Sequence, residues 1–229
     1  SLNSTGLDLS QSDLIRNYVL MGLKEAEQDK IYFDYWYPME QEFLSSGQSE
    51  LFDFFIRDYL TIKTGKTPVI RGVYDAFKDY KISLKEKGVE EIIGDLRKFS
   101  KYYINLAIEG KEEDAELSSY FKELRVLRVN VVYPFLLEVY RDYKDEKISK
   151  EKFISILKLI ISYVFRRFVC GVPTNSLNKT FAKLYSEINP EDYMDSLVAG
   201  LELKDSYLRF PNDDEFTTSF LEKDVYNMR

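Results

Sequence analysis

Apolar residues recur at intervals of three and four along nearly the whole chain, and this spacing is the strongest constraint on its fold. One row runs through Leu51, Phe55 and Tyr59, and another lies between Phe153 and Val164. Only 16 of the 229 residues are Gly or Pro, the residue types that disfavour a helix interior most. We therefore predict an all-α fold, a compact bundle of about nine or ten helices.

Local signals predict where several helices begin and end. Ser10 with Asp13 resembles a capping box, Gly65 can end a helix, and Pro38 predicts a kink or break near Tyr37. Further helix starts are predicted at Thr67-Pro68, Ser149, Asn189-Pro190 and Asn212. The stretch from Val126 to Val132 is rich in Val, so a short strand competes there with the helix that its flanks favour.

The chain carries no Gly/Ser linker, so we expect residues 1–229 to form one helical domain. The polar segment 144–150 is the place where two subdomains would meet. No internal repeat is present.

Composition excludes several kinds of chemistry. The chain has no histidine, so it cannot supply a Ser-His-Asp triad, a histidine-ligated zinc or an HNH site. Its single cysteine, Cys170, cannot form an internal disulfide. The net charge of −7 is typical of an acidic, soluble protein, and we expect a cytoplasmic location. The most apolar window, from Phe153 to Phe165, contains Lys158 and is shorter than a membrane span, so we expect no membrane partner.

Two sequence motifs suggest a phosphate site or a metal site, but a helix cap or chance explains each of them more simply. Thr64-Gly65-Lys66-Thr67 contains the end of a phosphate-binding loop, but the preceding pattern is helical, which favours a helix cap followed by a turn. Glu202-x-Lys204 is similar to part of a metal-nuclease motif, yet acid-x-Lys triplets arise by chance in so charged a chain. The acidic runs at 112–114 and 213–215 fit the first turns of helices better than cation sites.

The best concentration of positive charge comprises Arg166, Arg167, Lys179 and Lys183. These side chains could contact a DNA backbone, or they could serve a helix C-terminus and nearby acids. Since neighbours on a helix differ by about 100°, the two arginines cannot share one environment. The apolar stripe predicts that Arg167 is enclosed and finds a carboxylate or carbonyl partner, and that Arg166 faces solvent or a ligand.

Several blocks in order along the chain resemble the GmrSD-type family of modification-dependent (type IV) restriction endonucleases. The first is Leu2 to Asn17, which is similar to the end of the family's N-terminal domain. The later blocks are Tyr35-Trp36-Tyr37-Pro38-Met39-Glu40, Phe55 to Lys66, Tyr163 to Phe168, Leu177-Asn178-Lys179 and Arg209 to Phe216. The resemblance therefore touches nearly the whole chain.

The resemblance implies a parent protein of DNA defence in which a ParB-like domain hydrolyses a nucleoside triphosphate and an HNH domain cuts modified DNA with a divalent metal. The ParB-like signature Asp-Gly-Gln-Gln-Arg and the HNH histidines are absent from this sequence. This chain then corresponds to the non-catalytic helical middle, with residues 1–17 as the tail end of the ParB-like region and no cofactor of its own. Its partners would be the flanking domains and, through them, DNA. Asn3 matches the one residue that the resemblance connects with the triphosphate site.

Overall fold

The computed structural model describes residues 9–85, 87–174, 177–202 and 208–222. Helices dominate these residues and no strand occurs among them, so the all-α prediction is confirmed. The chain divides into two units, residues 1–104 and 105–229. The boundary lies inside one long helix, whereas the polar segment 144–150 is a turn within the second unit.

In the N-terminal unit the described residues form six α-helices and two irregular helical turns. The α-helices are α1 (Gln11–Leu20), α2 (Glu25–Lys30), α3 (Tyr37–Ser45), α4 (Leu51–Thr64), α5 (Val73–Ser83) and the first part of α6 (Val89–Ala107). A π-helical turn occupies Ile31–Trp36 and a 3₁₀ turn occupies Ile70–Gly72. The Ser10–Asp13 capping box and the Gly65 cap are both present, as predicted.

The structure changes two expected helix boundaries in this unit. Near Tyr37 the chain does not break, because the π-helical turn widens the helix just ahead of Pro38, whose ring nitrogen cannot donate. Thr67 does not cap a helix. Its hydroxyl accepts a hydrogen bond from Thr61, and α5 begins only at Val73.

Aromatic rings form the centre of the N-terminal unit. Phe43 stacks on Phe52 with ring centroids 4.9 Å apart, and Phe55 contacts Tyr103 at 5.4 Å. Trp36 is 1% exposed and lies against Phe52. The aromatic richness of the sequence is thus used in part for packing between helices.

The described residues of the C-terminal unit form the end of α6, six further α-helices and the 3₁₀ turns given below. The α-helices are α7 (Ala115–Leu127), α8 (Tyr133–Lys144), α9 (Lys150–Val169), α10 (Leu177–Lys183), α11 (Tyr193–Glu202) and α12 (Asp213–Glu222). The 3₁₀ turns are Asn130–Val132, Leu184–Glu187 and Pro190–Asp192. Helix α8 is buried over most of its surface and contacts both α9 and α10.

The stretch from 126 to 132 is neither one helix nor a strand. Helix α7 ends at Leu127 because Arg128 takes a left-handed backbone with φ of 54°. A 3₁₀ turn follows and leads directly into α8, with Pro134 in the first turn. None of the described helices is both long and apolar enough to cross a membrane.

Candidate functional site

The arginine pair lies in the last turn of α9, and the helix period decides which arginine is buried. Phe153, Ile160 and Val164 line the buried side of α9. Arg167 continues this side and is 1% exposed, whereas the side chain of Arg166 is 24% exposed. The prediction that Arg167 is the more enclosed of the two is confirmed.

Backbone carbonyls from two distant stretches surround the Arg167 guanidinium. Nη2 donates to the carbonyl oxygen of Pro173 at 2.6 Å, and Nη1 donates to that of Arg209 at 3.1 Å. The guanidinium carbon lies 5.2 Å from the centre of the Tyr163 ring. Burial lowers the pKa of Arg167, but arginine keeps its proton in proteins. Arg167 therefore joins the chain after α9 and the chain before α12 to α9 itself, and it presents no charge to solvent.

Arg166 is partly exposed, in line with the expectation that it faces solvent or a ligand, and it also has partners within the chain. Its Nη2 lies 2.6 Å from Asp213 Oδ1, and Nη1 donates to the carbonyl oxygen of Pro211 at 3.2 Å. The guanidinium also lies 5.0 Å from the centre of the Phe216 ring. The side chain of Asp213 is 86% exposed, so solvent screens this ion pair and its contribution to stability is small.

A cleft of about 500 Å³ opens beside Arg166. Among the described residues, the carboxylates of Glu202 and Asp213 line the cleft together with the Arg166 guanidinium. The described part of the lining thus carries more negative than positive charge, which disfavours a phosphate group there.

Lys179 and Lys183 lie one helical turn apart on α10 and are both exposed. The opposite side of α10 buries Leu177, Thr180 and Phe181, so the helix has a clear inner and outer face. The structure therefore separates the four predicted basic residues. The arginines have internal partners, and the lysines remain on a solvent-facing surface.

The other sequence candidates have structural explanations or lie outside the described residues. Asn3 and Lys204 lie outside them. Gly65 ends α4 with φ of 67°, and the next α-helix starts only at Val73, so no helix N-terminus is present at Lys66 to receive a phosphate.

Both acidic runs begin helices, as expected. Asp114 caps α7 by accepting from the N–H groups of Glu116 and Leu117, each at 3.1 Å. Residues 213–215 form the first turn of α12. No group of three or more acidic or cysteine side chains able to hold a metal occurs among the described residues.

A buried polar network surrounds Asp142 on α8, and the sequence did not predict it. The Asp142 side chain is 3% exposed and accepts from the hydroxyls of Tyr185 at 2.7 Å and Tyr193 at 3.3 Å. Lys147 Nζ lies 3.1 Å away, and Arg141 contacts both Asp142 and Glu138. The tyrosines lie 43 and 51 residues beyond Asp142 in sequence, so no local spacing could have indicated the contact.

The protonation states in this network indicate a structural role. Burial and the hydrogen bonds to Asp142 raise the pKa of both Tyr185 and Tyr193, so both keep the protons that they donate. Asp142 thereby ties α8 to the 3₁₀ turn at Leu184–Glu187 and to α11. The network stabilises the C-terminal unit and leaves no activated nucleophile.

Comparison with family models, with curated proteins and with solved structures finds no match for this chain. A proposal for the function of this chain therefore depends on the geometry of the described residues and on the resemblance of its sequence to the GmrSD-type family. That geometry includes an internally bonded arginine pair, a buried carboxylate network and two exposed lysines on α10.

Proposed function

We propose that this chain is the non-catalytic helical segment of a GmrSD-like, nucleotide-dependent restriction endonuclease that acts on modified DNA. In this proposal it links and positions a ParB-like NTPase domain, which acts as the sensor, and an HNH nuclease domain. We assign the nucleoside triphosphate and the divalent metal of the parent protein to those flanking domains. The basis for the assignment is the resemblance of several ordered sequence blocks.

The observation that carries the proposal is the internal use of the arginine pair. Arg167 holds the carbonyl groups of Pro173 and Arg209, and Arg166 holds that of Pro211 and the carboxylate of Asp213. A segment that transmits rigid-body movement between attached domains needs remote stretches fixed to its long helices. These contacts supply such fixation at the end of α9.

The test compares the 229-residue chain with the longer polypeptide of which it would be a part. We expect the longer protein to hydrolyse nucleoside triphosphates and to cut DNA that carries modified bases, and the 229-residue chain alone to do neither. In the longer protein, Arg167→Lys should reduce DNA cleavage more than triphosphate hydrolysis, and Arg71→Lys, the same change at an exposed arginine, is the matched control. Turnover by the isolated chain, or equal loss of both activities in Arg167→Lys, would refute the linking role.

One observation favours a second function, that of a nucleic-acid-binding module. Lys179 and Lys183 are exposed on one helix at a spacing of one turn, which suits contacts to successive phosphates. If this function is correct, the isolated chain binds DNA at low salt, and Lys179→Gln with Lys183→Gln lowers the slope of log affinity against log salt by roughly 2. The control variant, Lys98→Gln with Lys101→Gln on α6, makes the same charge change and should leave the slope unchanged. DNA binding that neither pair alters would exclude this surface.

A further inference from the structure

A shallow apolar groove runs between α7 and α9 in the C-terminal unit. Its volume is about 500 Å³. The lining is mainly apolar and aromatic, and Ser162 with the charged Glu123 and Lys158 completes it. The apolar and aromatic lining residues are Tyr120, Val126, Leu127, Ile161 and Phe165.

The groove leaves large apolar side chains in solvent. Val126 is 72% exposed and Phe165 is 37% exposed. Helix α12 closes one end, where Phe216 contacts Phe165 with ring centroids 6.0 Å apart. A contiguous apolar surface of this kind, with charged residues beside it, is typical of a protein interface.

The lining contains one acidic and one basic side chain. Among the described residues neither Glu123 nor Lys158 forms an ion pair, and Lys158 Nζ lies 5.7 Å from the centre of the Tyr120 ring. One negative and one positive charge beside one apolar groove give a surface that is complementary to itself. A strongly acidic or a strongly basic partner would match only one of the two charges.

We propose that a second copy of this chain docks on the α7–α9 groove by a two-fold rotation. In a two-fold interface, a contact from residue i to residue j is always repeated from j to i. In the proposed arrangement α7 of each copy lies over α9 of the other, so that Glu123 faces Lys158 across the interface and the apolar lining of both copies is removed from water. The interface contains two equivalent ion pairs around an apolar centre.

Charge reversal tests this pairing by sedimentation velocity over a range of concentrations of the 229-residue chain. In a dimer of the Glu123→Lys variant, a lysine faces a lysine in both of the charge pairs. In a dimer of the Lys158→Glu variant, a glutamate faces a glutamate in both. We expect each single variant to raise the dimer dissociation constant about tenfold, since two attractive pairs become repulsive. When the two variants are mixed in equal amounts, every pair is again of opposite sign, so a heterodimer should form with nearly the original affinity.

Matched controls separate this pairing from a general effect of charge. Asp79→Lys and Lys101→Glu make the same charge changes at exposed positions on α5 and α6, and they should leave the dissociation constant unchanged. Val126→Lys should abolish dimerisation, whereas Val69→Lys, at a residue that is 76% exposed, should not. A chain that stays monomeric at every concentration, or a mixture of the charge variants that does not recover the dimer, would overturn the proposal.

Discussion

The Nη2 atom of Arg167 lies 2.6 Å from the carbonyl oxygen of Pro173, which makes a buried arginine the link between α9 and the turn that follows it. The same guanidinium holds the carbonyl group of Arg209, 42 residues along the chain. A single side chain thus donates to two backbone acceptors that lie far apart in the sequence.

Arg167→Ala should lower the free energy of unfolding by about 2 to 4 kcal/mol, because it removes two hydrogen bonds to backbone carbonyl groups and opens a cavity. Arg166→Ala is the control, since its solvent-screened ion pair with Asp213 contributes no more than about 1 kcal/mol. Urea denaturation followed by circular dichroism measures both. Equal midpoints for the two variants would contradict the structural role of Arg167.

Asp58 should make the stability of the chain depend on pH. The residue is 1% exposed, only Oδ1 is hydrogen bonded, to Arg57, and Oδ2 has no partner. Burial raises the pKa of Asp58 to about 7 from its ordinary value of 3.8, although Arg57 opposes the change. Because the pKa is raised in the folded state, the protonated form of Asp58 stabilises the fold. This contribution to the free energy of unfolding is complete below about pH 4 and is lost as the pH rises through about 7.

Asp58→Asn removes this titration. Between about pH 5 and pH 8 the unaltered chain should lose on the order of 2 to 3 kcal/mol of unfolding free energy relative to Asp58→Asn, because only the unaltered chain has to ionise a buried carboxyl group. Urea titrations at the two pH values measure it, with the exposed Asp79→Asn as control. A difference that does not change with pH would show that Asp58 is ionised throughout.

The Asp142 network predicts strong coupling between distant residues. Asp142→Asn should cost about 2 to 4 kcal/mol, because Arg141 and Lys147 lose the opposite charge that faces them. Tyr185→Phe alone should cost about 1 kcal/mol, the worth of one hydrogen bond. In a double-mutant cycle the two losses should not add, since both remove the same bond, and strict additivity would contradict the contact.

Two glycines should respond to alanine with opposite signs. Gly65 has φ of 67° and ends α4, so Gly65→Ala should destabilise the chain by about 1 kcal/mol. Gly94 lies inside α6, where an added Cβ would meet Tyr35 at an ordinary 3.5 Å, so Gly94→Ala should stabilise by about 0.5 to 1 kcal/mol. Thermal melting of the two variants compares them directly, and shifts of the same sign would contradict one of the two backbone assignments.

The features that sequence predicts best here are those fixed by neighbouring residues. Ser10, Ser149 and Asn212 each accept a backbone hydrogen bond from the turn that follows, as their sequence context indicates. The same local logic predicts which of Arg166 and Arg167 is buried, because the helix period fixes the direction of each side chain.

Sequence reasoning fails where tertiary contacts decide the outcome. It predicts that Arg167 is enclosed but cannot identify the carbonyl groups of Pro173 and Arg209 as its partners. It misses the end of α7, because Arg128 is not a residue type that usually adopts a left-handed backbone. The Asp142 network is invisible for the same reason, since each tyrosine lies more than 40 residues away.

The π-helical turn at Ile31–Trp36 accommodates one residue more than an α-helical turn would. Added to a regular helix, one extra residue rotates everything beyond it by about 100°. Met39 and Phe43 nevertheless reach the interior of the N-terminal unit, because the widened turn absorbs the additional residue. This turn is therefore the position at which a single residue can be deleted: the segment would become continuous α-helix, and the inner face of α3 would still point into the N-terminal unit.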